Sequence, residues 1–352
     1  MPFALLCVAL ISALVASPAL AQRAWSVPVD LTPGSQSAQQ ARLAVDQAGN
    51  ALSTWIQVRG QSRATQAARL DGTSGTWGFP APLSASTTSE APSESTDVAL
   101  NAAGNGMAVW VRREPGSDPA LIRVQAARYL GASRTWQAAV NLTPTLAAAL
   151  YPRVAVDADG DAIVVWVAQG AATLVVQSAR YDASDNEWSA VQTLSLDGGA
   201  IAGEPALAID EAGHAAAAWA RYDGTQHIIQ AALYDAETDV WSAAVPLSLP
   251  GGSATGPHLS MTATGRTIVA AWRRPDSTSA QIVQFARFDP EAELWSTPQD
   301  LSLTGADTYE SDVVVDDTGN VTAAWTRFDG FTRAVQARRY DAVADTWAPS
   351  SP

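Results

Sequence analysis

Four arginines recur at one kind of place. Arg112, Arg221, Arg274 and Arg327 each stand two residues after a tryptophan, in the pattern Trp-x-Arg. A guanidinium donates as a planar fork, so several on one rim could grip a carboxylate or a sulfate. The plainer reading is a solvated arginine beside a neighbouring aspartate, since exposed pairs contribute little. A second group surrounds the first of these arginines: Glu90, Glu94, Arg112, Arg113, Glu114, Asp118 and Arg123. It lies in and beside two insertions of the unit from Trp77 to Trp136, which spans 59 residues where the others span 52 to 54. Loops on a rigid scaffold carry much of protein function, although surface loops also lengthen at small cost. A third group is Asp157-Ala-Asp-Gly-Asp161, whose alternating carboxylates Asp157, Asp159 and Asp161 suit a calcium ion. Its glycine comes fourth rather than sixth and the other copies lack the acids, so a plain turn is favoured. The histidines, His214, His227 and His258, fall on opposite rims and make no expected metal site. No cofactor is expected.

These groups are positioned by a repeat. One series of tryptophans is Trp25, Trp77, Trp136, Trp188, Trp241, Trp295 and Trp347; a second is Trp55, Trp110, Trp166, Trp219, Trp272 and Trp325. Together they are all 13 tryptophans of the chain, and a fixed period of this length marks a repeat architecture. Leu-Ser or Leu-Thr follows the first six of these tryptophans by six residues, as in Leu194-Ser195 and Leu247-Ser248. A glutamine recurs as Gln66, Gln125, Gln177, Gln230, Gln284 and Gln336 and is expected to bond between sheets. Each unit reads as four antiparallel strands. The first alternates large and small residues, as in Val154-Ala-Val156. An Asp…Gly turn leads to the second, which ends at a second-series tryptophan. The third ends in an aromatic such as Tyr181, and the fourth runs from the next tryptophan to Leu-Ser. This order puts the loops after the second and fourth strands on one rim.

The expected fold is all-β: a six-bladed β-propeller, four antiparallel strands per blade, occupying 22–352 as one domain of six ~52-residue repeats. Trp25-Ser-Val-Pro-Val-Asp-Leu-Thr32 reads as a complete outer strand that closes the last blade; the alternative is an incomplete seventh repeat starting at Trp347. The tryptophans are expected to pack blade on blade. Tyr234-Asp-Ala-Glu-Thr-Asp-Val-Trp241 and Phe288-Asp-Pro-Glu-Ala-Glu-Leu-Trp295 resemble the Tyr-Asp…Trp segment of Kelch repeats. The resemblance departs after the second strand, where Trp-x-Arg replaces the Kelch diglycine. More distantly the chain is similar to the six-bladed propellers of sialidases and fucose-binding lectins, without the sialidase aspartate box.

Residues 1–21 read as a signal peptide, with an apolar core from Phe3 to Ala16 and Ala19-Leu-Ala21 before the cut. A secreted or periplasmic protein is therefore expected, with no membrane span in the mature chain. Cys7, the only cysteine, leaves with that leader, which removes thiol chemistry and disulfides. A net charge of −14, with arginine as the only cation, argues against nucleic acid as a partner. No nucleophile–base pair can be named, so no catalytic residue is assigned. The expectation is a binding or scaffold module for a glycan or an extracellular protein, with glycan binding first. The alternatives are a protein-interaction scaffold and a sialidase-like glycoside hydrolase.

Overall fold

A computed structural model of the protein describes residues 27–32, 34, 36–60, 62–84, 93–113, 122–143 and 149–348. Six antiparallel sheets follow one another along the chain, and no helix forms among these residues. The alternating segments form the innermost strands: Ser37–Val45, Ser93–Leu100, Ala149–Val156, Ile201–Ile209, Thr255–Met261 and Asp307–Val315. Each pairs with a second strand through the expected turn. In the fourth sheet Gly213 takes φ 91° while the Asp210 carboxylate accepts the N–H groups of Ala212 and His214. Neighbouring turns interlock: Asn101 donates to the carbonyl of Asp157, and the Glu211 N–H to that of Ala263.

The recurrent residues have structural explanations. Trp110, Trp166, Trp219 and Trp272 are fully buried, each packed against the sheet before it. Trp136, Trp188, Trp241, Trp295 and Trp347 lie against the aromatic that ends the third strand, with ring centroids 5.1–5.5 Å apart. The glutamine works within one sheet rather than between sheets. Gln125 accepts from Trp110 Nε1 at 3.0 Å and donates to Asn141, and Gln284 joins Trp272 to Asp300 in the same way. The physical reason is register, which sets glutamine and tryptophan opposite each other on adjacent strands.

The outer strand is not continuous as expected. It is two short ladders, Val240–Trp241 and Val245–Pro246 in the fourth sheet, with a break between them. The Leu-Ser hydroxyl anchors its far end: Ser248 Oγ accepts the N–H of Ile229 at 2.9 Å, and Ser84, Thr143, Ser195 and Ser302 do the same in their sheets. Ser248→Ala leaves that buried N–H without its acceptor and should cost about 1–2 kcal/mol, read as a lower denaturant midpoint with an unchanged slope.

Each innermost strand packs beside the next, from the first sheet to the sixth. The first and sixth share no comparable contact, and Leu43 (61% exposed) and Val335 (80%) face outward. The proposed closing strand begins at Trp25, outside the described residues; residues 27–30 form no strand, and Trp347 holds the outer position opposite Tyr340. Residues 1–21 also lie outside the described residues. No helix among the described residues is long and apolar enough to cross a membrane.

Candidate functional site

All six innermost strands carry a break in register at the same height. Beside it stand Gln40, Tyr151 and Glu310 at φ 50–55°, and Gly203 and Gly256 at φ 77° and 61°. A left-handed conformation costs a residue with a Cβ about 1–2 kcal/mol, and such strain gathers where side chains must be aimed. Just past each bulge comes one residue per sheet, paired with the position before the second-strand tryptophan: Arg42, Asp97, Arg153, Ala206, His258 and Asp312. Five of the six are titratable.

These side chains meet where the innermost strands face one another. Arg153 is paired with Glu204 of the fourth sheet, and Arg42 of the first sheet approaches the same carboxylate at 3.9 Å. Asp97 of the second sheet accepts the Val154 N–H at 3.1 Å. Burial pushes the Asp97 carboxyl above the usual range, opposed chiefly by Arg153. Its edge stays partly accessible even so. On the far side His258 Nδ1 lies 3.4 Å from Asp312, whose carboxyl is held below its ordinary value by that contact. Arg42, Asp97, Arg153 and Glu204 thus bring donors and acceptors together from four sheets.

Sequence reasoning missed this ring. A signal existed in the residue before each alternating run (ArgLeuAlaVal, AspValAlaLeu, ArgValAlaVal, HisLeuSerMet), but its type changes from copy to copy. The Trp-x-Arg arginines stand on the loop rim. Arg221 donates to the Leu196 carbonyl at 3.1 Å, and Arg274 reaches those of Leu249 and Pro250 at 3.4 Å. These bonds tie the two second strands to the loops between sheets. Arg327 and Arg112 occupy the matching positions on the same rim, and Arg112 and Arg123 are cross-strand neighbours beside Arg113. The loops do share that rim: Asp197 accepts the N–H groups of Ala172 and Thr173 across it. Glu90, the Glu94 side chain, Glu114 and Asp118 lie outside the described residues.

Asp157, Asp159 and Asp161 form a turn, not a metal cage. Asp157 accepts the N–H groups of Asp159 and Asp161, while Asp161 accepts that of Ala183 and pairs with Arg180. No group of three metal-ligating side chains gathers among the described residues. Burial, helped by the charge of Asp161, raises the Asp157 pKa to about 6. A raised folded-state pKa means the stabilising, protonated form is full below about 4 and lost as pH climbs through 6. Asp157→Asn keeps the oxygen acceptor, and Asn101 shows that an amide fits this position. The variant should melt higher than the parent at pH 7.5 and alongside it at pH 4.5. Equal melting curves at both pH values would refute the charge penalty.

No protein-family model matches the sequence, and no curated protein sequence does either. Solved structures do match the fold. A PL25 polysaccharide lyase, an ulvan lyase, aligns with TM-score 0.57 at 10% identity, over 84% of this chain and 78% of that one. An intramolecular trans-sialidase from Ruminococcus gnavus aligns with TM-score 0.52 at 9% identity, over 89% and 96%. A protein of unknown function from Dyadobacter fermentans gives 0.53 at 10%, over 86% and 94%. The sheets are those of a β-propeller. At that level the matches agree with the distant likeness to sialidase propellers and lend no support to the Kelch resemblance.

Proposed function

We propose that this is a carbohydrate-binding β-propeller acting outside the cytoplasm, with its ligand at the ring formed by Arg42, Asp97, Arg153 and Glu204. The carrying observation is that Arg42 and Arg153, from two sheets, converge on the Glu204 carboxylate of a third. Sugar hydroxyls need acceptors and donors side by side, and charged partners make the stronger hydrogen bonds. Tyr151, two residues before Arg153, adds an amphipathic ring of the kind that packs on a sugar face. Fold neighbours that include a polysaccharide lyase and a trans-sialidase make carbohydrate the first class to test. The leader-like residues 1–21 support the extracytoplasmic setting.

The test is a glycan array on the purified protein beside Glu204→Gln and Arg153→Ala. Binding lost in both variants, with melting curves preserved, supports the central site. Binding retained in both moves the site to the loops of the second sheet around Arg112, Arg113 and Arg123. An array blank for the parent itself rejects the carbohydrate reading in favour of a protein-interaction scaffold. Glycoside hydrolysis is the second reading, favoured by one observation: burial raises Asp97 while Glu204 is engaged by arginines, so two carboxyl groups sit in unlike environments. Asp97→Asn would then bind glycan but release no sugar.

A further inference from the structure

The junctions between sheets follow a rule with one exception. Arginine stands just before the third-strand aromatic, or before Leu70 in the first sheet, in five sheets: Arg69, Arg128, Arg180, Arg287 and Arg339. Four of these, Arg69, Arg128, Arg180 and Arg287, lie near the tyrosine of the next sheet, and two of them hydrogen-bond to it. Arg128 donates to the Tyr181 hydroxyl at 2.8 Å with its guanidinium 5.3 Å from the ring, and Arg287 donates to Tyr340 at 3.2 Å. Arg69 and Tyr129, and Arg180 and Tyr234, are close enough to affect each other's charge. Between the fourth and fifth sheets both partners are replaced at once: Leu233 stands for the arginine and Phe288 for the tyrosine. The two join a small apolar cluster with Met261 and Trp295.

The arginine and tyrosine that line the other junctions, hydrogen-bonded to each other at two of them, are thereby gone, and a groove of about 930 Å³ lies there. The spaces between the first and second sheets, lined by Arg69 and Tyr129, are about 240 and 400 Å³, and that between the fifth and sixth, lined by Arg287 and Tyr340, is about 420 Å³. A volume near 930 Å³ with an apolar floor is the size and character of a small-molecule site. Its lip is charged unevenly. Asp210, Asp235, Glu237 and Glu293 face one arginine, Arg266, and one histidine, His214. His214 lies 3.2 Å from Asp210 and 3.8 Å from Asp235, whose Oδ1 also accepts the N–H groups of Glu237 and Thr238, and the exposed Glu293 adds a further carboxylate to the lip. The groove lies on the turn side of the sheets, away from the loop rim that carries Arg221 and Arg274.

We propose that this groove is a second binding site, for an amphipathic cation: an alkyl or aryl body laid on Leu233, Phe288 and Trp295, with an ammonium head at Asp235 and Glu293. Apolar burial supplies the affinity and the uneven lip selects the sign of the head. The site is separate from the central ring and does not depend on what binds there.

The double variant Leu233→Arg with Phe288→Tyr restores the pair used elsewhere and should fold as well as the parent. Titration calorimetry with dodecylamine, below its micelle concentration at pH 7, should show one site in the parent. Affinity should fall at least tenfold in the double variant, and dodecanoate should bind at least tenfold more weakly than the amine. Asp235→Asn with Glu293→Gln changes only exposed side chains and should erase the preference for the amine while keeping alkyl binding. Undiminished amine binding by the restored junction would overturn the proposal. So would equal affinity for dodecanoate, or no binding by the parent.

Discussion

Trp219→Ala should lower the stability of the protein by about 3–5 kcal/mol, the usual cost of deleting a large buried aromatic. The indole is fully buried and packs with Ile163, Val165, Val167 and Val176 of the preceding sheet as well as Ala217 and Ala232 of its own. Along its own strand it is flanked by Ala218 and Ala220, and Ala217 and Ala232 share its cluster, so these four offer only methyl groups to the space. The cavity therefore stays open, and the loss falls on two sheets together. Trp219→Phe fills most of the volume and should cost less than half as much. Denaturant unfolding of the three proteins checks this; an alanine variant within about 1 kcal/mol of the parent would mean that tryptophans are not what joins the sheets.

Gly265→Ala is the second large effect, expected at about 2–4 kcal/mol from two terms. Gly265 holds φ 68°, and a Cβ there would lie 2.2 Å from Asp210 Oδ2 in the neighbouring turn. That carboxylate cannot withdraw, because it already accepts the N–H groups of Ala212 and His214 and is almost wholly buried. Gly60 separates the terms. Its φ is 58°, but a Cβ would meet nothing within 4 Å, so Gly60→Ala carries only the conformational cost of about 1 kcal/mol. Equal shifts in melting temperature for the two alanines would show that the turns do not interlock as described.

Both predictions rest on features visible in the sequence, and this marks where legibility ends. Trp219, Gly265, Ser248 and Gln284 recur in every copy because packing and ladder geometry repeat, and what repeats can be read from one chain. The broken outer strand was hidden, since neither Pro246 nor the small residues before it say whether a ladder pauses. The glutamine was read as mid-strand and polar, yet only register tells that its partner is a tryptophan of the same sheet. Trp-x-Arg draws attention through its regularity, and only the structure shows that Arg221 and Arg274 hydrogen-bond the carbonyls of neighbouring loops. The ring of Arg42, Asp97, Arg153, His258 and Asp312 escaped for the opposite reason: its place is constant while its chemistry is not. The groove at Leu233 and Phe288 was likewise a departure from a pattern, and shows only once the pattern's role at the other junctions is known.

The bulges in the innermost strands carry an evolutionary consequence. A bulge is where a ladder suspends its pairing, so the residue just past it is held in place by backbone geometry that does not depend on its identity. Arginine, aspartate, alanine and histidine all occupy that station here while the sheets behind them keep one plan. Each of the six belongs to its own sheet, so a substitution there leaves the ladders intact and is felt by the side chains that face it, as between His258 and Asp312. The centre of the molecule is thus a panel of six exchangeable sockets. A lineage could rewrite its specificity one socket at a time, without passing through an unfolded ancestor.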